Sequence, residues 1–297
     1  MIRLEQIDFL ATDGIILNGF LYKSKEKTNK IILAVHGMGS NCLKERDRII
    51  AKNANENNID YFCFNNRGSE LVRYIRRKID GKKEKFLAGT TYENVLEGYE
   101  DITGAIIKLK ELGYTNIYLQ GHSLGCTKIV YTYNELKEEN DEILSNIKGV
   151  ILLSLIDIPS TLKIYLRDRY NDYLQYAEDK EREDKQNELM PKEAFIHPIS
   201  VKTFLRYARD NKEIDFAKYG EDTKLEKLNN IDVPLFMRWG TDNEMILQRP
   251  EELVDIVNNI IENPNKNIDY VDGANHGYEG KEKELAEQII DFIKNIK

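Results

Sequence analysis

Gly121-His122-Ser123-Leu124-Gly125 sets a lone serine between two glycines, with alternating apolar residues before it and a helical pattern after it. A serine on so sharp a strand-to-helix turn is presented above the carboxyl end of a sheet. Small residues two places to either side let strand and helix pass close together. The chemistry such a residue supports is nucleophilic attack, and a hydroxyl is a poor nucleophile until a base takes its proton. The chain has four histidines. His36 abuts a glycine-rich turn, His122 precedes the serine, and His197 lies beside Pro198. His276, in Asp272-Gly273-Ala274-Asn275-His276-Gly277, falls after the last strand pattern and before the last helix pattern, where the base belongs in the chain order serine, acid, histidine.

An acid must hold the far ring nitrogen of that histidine. Asp242, in Trp239-Gly240-Thr241-Asp242-Asn243, is the expected group; Glu244 in the same loop and Asp157 at the end of the preceding strand stay open as alternatives. Donors for a developing oxyanion are expected from the Leu124 N–H, which opens the helix, and the Met38 N–H in His36-Gly37-Met38-Gly39-Ser40. Cys126, one turn into the helix, reads as packing rather than as a second nucleophile.

These residues need a scaffold that delivers strand ends to one place. A hairpin is expected over 2–22, and strands over 30–35, 60–64, 117–120, 149–156, 233–239 and 267–271. Helical spacing covers 43–57, 93–112, 124–139, 250–261 and 281–296. The alternation predicts an α/β protein with a mostly parallel sheet of about eight strands and helices on both faces. Residues 158–228 interrupt the rhythm with helices over 165–188 and 201–211 and read as a helical cap insertion, leaving 1–157 and 229–297 as the core. Leu166, Tyr170, Tyr173, Leu174 and Ala177 keep helical spacing there and read as packing of the cap on the body. Residues 69–92 show no periodicity and carry Arg73, Arg76, Arg77, Lys78, Lys82, Lys83 and Lys85, a solvated loop or an attractor for an anionic substrate.

Taken together and in order, His36-Gly37-x-Gly39-Ser40, Asn66-Arg67-Gly68, Gly121-His122-Ser123-Leu124-Gly125, Trp239-Gly240-x-Asp242 and Asn275-His276-Gly277 resemble the α/β-hydrolase superfamily, most of all its small serine esterases. The resemblance implies Ser123 as nucleophile, His276 as base, Asp242 as acid, Met38 and Leu124 as oxyanion donors, and a cap over the site. Where many members have Asp-x-Arg-Gly-x-Gly, this chain has Asn65-Asn66-Arg67-Gly68-Ser69-Glu70.

Composition bounds the rest. A net charge of −8 argues against a broad nucleic-acid footprint. No apolar run approaches the ~18 residues of a membrane span. The N-terminal stretch carries Arg3, Glu5 and Asp8, unlike a signal peptide. Three distant cysteines suggest neither a disulfide framework nor a zinc site. The expectation is a cytoplasmic hydrolase of a small ester that uses no cofactor. The same triad also serves an amidase or peptidase, or a carbon–carbon bond hydrolase, and the fold also serves non-catalytic binding proteins.

Overall fold

A computed structural model describes residues 3–79, 81–209, 213–214, 217–220 and 224–296. Ten strands form one mixed sheet among these residues. In chain order they are β1 (Arg3–Leu10), β2 (Ile15–Lys23), β3 (Lys30–Val35), β4 (Asp60–Asn65), β5 (Arg73–Ile79), β6 (Lys82–Ala88), β7 (Asn116–His122), β8 (Ile147–Leu153), β9 (Leu235–Gly240) and β10 (Lys266–Val271). The sheet runs β10-β9-β8-β7-β3-β4-β2-β5-β6, with β1 paired to β2. The six strands from β4 to β10 in this order are mutually parallel, and the β1, β2, β5 and β6 pairings are antiparallel.

The inner strands are apolar on both faces because helices cover both. In β3, Ile31, Leu33 and Val35 join the core beneath α2 (Gly98–Glu111), α3 (Leu124–Glu138) and α8 (Pro250–Ile260). Ile32 and Ala34 face the other way, into the layer of α1 (Glu45–Glu56) and α9 (Glu282–Asn295). Successive side chains leave a strand on opposite faces, so one short run fills two cores.

Between β8 and β9 lie α4 (Ile158–Leu166), α5 (Tyr170–Arg182), α6 (Val201–Ala208) and the short α7 (Glu226–Asn229). The helix expected over 165–188 is thus two helices, broken at Arg167, whose φ of 51° is left-handed. The last two positions of the helix expected over 201–211 lie outside the described residues, as does Ile2, the start of the first hairpin. Leu166 and Ala177 are buried in a third apolar cluster, with Tyr170, Tyr173 and Leu174 packed against it, so the aromatic stripe is packing. Val95, Leu124 and Ile156 from the main body complete that cluster.

The sheet exceeds the expected eight strands by the β5–β6 hairpin, which occupies the stretch that shows no periodicity in sequence. Its register sets Arg76 opposite Lys85 and Lys78 opposite Lys83. One face of the hairpin is solvated and cationic, so no apolar alternation marks it. Among the described residues, no helix is long and apolar enough to cross a membrane.

Candidate active site

The serine turn forms as its sequence requires. Ser123 follows β7 directly with φ 54° and ψ −125°, and α3 starts at the next residue. A non-glycine residue held there costs on the order of 1–3 kcal/mol and persists only where its surroundings enforce it. Two hydrogen bonds do so: Ser123 N–H donates to Leu153 O at 2.8 Å, and Cys126 N–H donates to Ser123 O at 2.8 Å. A Cβ at Gly121 would fall 2.6 Å from the Cys126 backbone, and one at Gly125 2.2 Å from Val35 O, so both glycines are required by close approach. Cys126 is buried and its thiol donates to Leu153 O at 3.2 Å, which makes it packing.

Helix α3 begins at Leu124, whose N–H belongs to the first turn and has no intrahelical acceptor. The loop after β3 runs alongside: a Cβ at Gly37 would lie 3.0 Å from Ser123 Cβ. Met38 follows, and among the described residues its N–H meets no acceptor. The loop is pinned one residue on, where Gly39 N–H donates to Thr90 Oγ1 at 2.7 Å and the Thr90 hydroxyl donates to Gly68 O at 3.1 Å. Sequence reasoning missed Thr90, which lies in the stretch without periodicity.

His276 sits on the loop after β10. Its Nδ1 is hydrogen-bonded to Glu244 Oε1, and Glu244 is the carboxylate that meets this ring. Asp242, the acid expected from sequence, is exposed, and only its backbone ties into the site, with Asp242 N–H donating to Ala274 O at 2.8 Å. Asp157 is the N-cap of α4, where it accepts from Ser160 N–H at 3.0 Å. The correction has a backbone cause. Asn243 takes a left-handed φ of 47°, which turns the chain so that Glu244 points back over the end of β9. There Glu244 Oε2 accepts from Gly240 N–H at 2.9 Å and Ser154 Oγ at 2.7 Å, and Oε1 accepts from Met245 N–H at 3.0 Å. Asn tolerates that backbone region better than other non-glycine residues, which is the signal in the sequence. The two loops touch because Gly240 has no side chain: a Cβ there would lie 2.1 Å from Ala274 O.

Burial alone works to raise the Glu244 pKa. The bonds from His276, Gly240 and Ser154 outweigh it and hold the carboxyl below its ordinary value, so it is ionised at neutral pH. His122 donates through Nε2 to His276 O at 2.7 Å and packs its ring 5.0 Å from the His276 ring. It props the base loop from below rather than reaching the serine. Desolvation first, and then the Arg46 charge, push the His122 pKa well below 6.5.

Ser123 and His276 line one cavity of about 520 Å³, together with Met38, Leu124 and His122. Its apolar wall comes largely from the β8–β9 insertion, through Ile158, Leu162, Tyr165, Phe195 and Ile196. Among the described residues the Ser123 hydroxyl has no hydrogen-bond partner. Bonds of this kind are often long in an empty site and tighten when a reactant is bound. None of the basic β5–β6 residues lines the cavity, so the cationic cluster sits apart from it.

A parallel sheet flanked by helices, a serine on a strained turn after its central strand, and a carboxylate–imidazole pair on the loops that follow define a protein of the α/β-hydrolase fold. The sequence profile of a family described as "Protein of unknown function (DUF1749)" matches residues 96–296, well over half of the chain, and the chain belongs to that family. A search of curated proteins finds no match. Solved structures share the fold from end to end. A highly thermostable carboxyl esterase from Bacillus coagulans is 14% identical, with a TM-score of 0.69, over 100% of this chain and 99% of its own. The α/β hydrolase GrgF from Penicillium sp. sh18 is 16% identical, with a TM-score of 0.67 and 99% of each chain covered. Est1E from Butyrivibrio proteoclasticus, solved with ferulic acid bound, is 16% identical at a TM-score of 0.62, over 97% of this chain and 98% of its own.

Proposed function

We propose that this protein is a serine carboxylesterase that cleaves a small to medium ester through an acyl-enzyme on Ser123. The observation that carries the reading is the His276–Glu244 pair, set on the cavity that the strained Ser123 turn also lines. With Nδ1–H held by an ionised Glu244, the free Nε2 is the basic nitrogen. Ser123 Oγ attacks the ester carbonyl carbon and its proton passes to Nε2. The Met38 and Leu124 N–H groups face the oxyanion. Collapse of the tetrahedral species breaks the C–O bond, and the imidazolium returns its proton to the departing alcohol. A water then gives its proton to His276 and attacks the acyl carbon. The serine is restored and the acid released. Glu244 takes the orienting role in place of Asp242.

Residues 158–228 act as the cap in this reading. Their apolar side chains form a wall suited to the hydrocarbon part of an ester, and about 520 Å³ is within the usual ~300–1,000 Å³ range of small-molecule sites. The esterases among the similar structures fit the same reading.

The test is labelling with a tagged fluorophosphonate, followed by peptide mapping, beside a panel of p-nitrophenyl esters and matched amides. Modification at Ser123, ester turnover abolished in Ser123→Ala and no amide turnover are expected. An unlabelled Ser123, or ester turnover that survives Ser123→Ala, overturns the reading.

A further inference from the structure

Arg46 opens the second position of α1, immediately after the loop that carries Met38, and it lines the Ser123 cavity. Its side chain is only 6% exposed. A guanidinium brings five N–H donors and a charge that cannot be discharged by deprotonation. Yet among the described residues its one hydrogen bond is a long one, Nη2 to Asp47 Oδ2 at 3.4 Å. Asp47 Oδ1 is already taken by the Tyr61 hydroxyl at 2.8 Å. The Arg46 Nε is fully enclosed and has no partner. Buried charges in folded proteins are normally paired and hydrogen-bonded, and buried donors without acceptors are rare. Here a guanidinium with one long ion pair, to the equally buried Asp47, and with most of its donors unfilled has been built into the wall of the cavity that Ser123 lines.

We propose that Arg46 is an anion subsite and that the substrate is an ester carrying a carboxylate, which the guanidinium binds while the ester bond lies at Ser123. This rests on the esterase reading above. The planar fork matches a carboxylate edge, which supplies two acceptors to donors the protein leaves unfilled. Glu45, Glu279 and Glu282 also line the cavity, and Lys44 accompanies them. Glu45 and Glu279 are exposed and Glu282 is half-buried, so water and salt screen all three more than the enclosed guanidinium. A carboxylate is therefore drawn to Arg46, the enclosed cation among the residues that line this cavity. Ile158, Leu162 and Phe195, which line the same cavity, take the apolar remainder, which makes the preferred substrate amphipathic.

Two matched pairs test the subsite on either side of the ester bond. One is the mono-p-nitrophenyl ester of adipic acid against p-nitrophenyl hexanoate. The other is 4-acetoxybenzoate against its methyl ester. The wild-type protein is expected to turn over the carboxylate member of at least one pair with a kcat/KM tenfold or more above its neutral mate, mostly through KM. That ratio is expected to fall at least tenfold in Arg46→Met and to recover in part in Arg46→Lys. A wild-type preference for the neutral member of both pairs overturns the proposal, and so does a carboxylate preference that persists in Arg46→Met. If no ester is turned over, the esterase reading fails by itself. The subsite is then judged by calorimetry of adipate and benzoate on Ser123→Ala: binding that disappears in Ser123→Ala/Arg46→Met upholds it, and no binding to Ser123→Ala overturns it.

Discussion

Replacing Glu244 by Gln separates the two candidate acids sharply. The side chain keeps its shape, and its surroundings dictate how the amide must turn. Gly240 N–H and the Ser154 hydroxyl approach Oε2, at 2.9 and 2.7 Å, against the single backbone donor, Met245 N–H at 3.0 Å, on Oε1, so the balance of donors sets the amide oxygen at Oε2. The NH₂ group is left facing His276 Nδ1. A neutral imidazole opposite a donor accepts at Nδ1 and carries its hydrogen on Nε2, so Nε2 is no longer the basic nitrogen. The negative charge that stabilises the imidazolium is lost as well. In a serine triad a change of this kind lowers kcat by about 10⁴, or about 5.4 kcal/mol of transition-state stabilisation. Asp242→Asn, at an exposed side chain, is expected to stay within about threefold of wild type, since surface changes away from special features are nearly neutral. The assay is steady-state hydrolysis of a p-nitrophenyl ester by both variants, with circular dichroism to show that each is folded. If Asp242→Asn loses activity by 10³ or more while Glu244→Gln retains it, the assignment is refuted.

Other expectations concern how the site is held. Thr90→Val removes the acceptor for Gly39 N–H and is expected to lower kcat about tenfold, or roughly 1.4 kcal/mol, with Thr90→Ser restoring it; equal rates in all three proteins argue against a pinned oxyanion loop. Lys128 and Glu93 form an ion pair that is 1% and 0% exposed, so Glu93→Gln is expected to cost about 3–5 kcal/mol in urea denaturation, whereas the double replacement Lys128→Met/Glu93→Leu is expected to recover most of that; additive losses would contradict this. His36 has its pKa pushed down to about 3 by burial and then by the Lys128 charge, while its bond to Gly37 O opposes them. The folded chain then refuses a proton that the unfolded chain takes up near pH 6.5. The stability is complete above that pH and is lost as pH falls below it, by about 1.4 kcal/mol per pH unit for His36. His122, whose pKa is also pushed down by burial and then by the Arg46 charge, adds a loss of the same sign. Unfolding free energies that stay flat from about pH 7 to pH 5 contradict buried neutral rings.

The serine turn was legible because its backbone needs cannot be met by other residues: two glycines are forced by contacts of 2.2 and 2.6 Å, and strand and helix patterns flank them. His276 was legible from chain order. The carboxylate that meets His276 lies two residues beyond the expected Asp242 because the deciding event is a left-handed turn at Asn243, and spacing alone does not say which way a loop folds back. The β5–β6 hairpin was hidden because an edge hairpin with one solvated face needs few apolar residues; Ile75 is buried between the exposed Tyr74 and Arg76. Arg46 was invisible for a related reason. In sequence it belongs to the polar Lys44-Glu45-Arg46-Asp47-Arg48 run, and its burial arises only in the folded chain.

Ser123 and His276 are carried by parts of unequal firmness. Ser123 rises from β7, which has neighbours on both sides, whereas the loop of His276 follows β10, the last strand of its row. Outermost strands exchange their amide hydrogens soonest, because local opening there breaks one set of pairings rather than two. Warming is therefore expected to loosen the His276 loop while the surroundings of Ser123 are still intact. On the esterase reading, turnover is expected to fade below the melting temperature and to return on cooling.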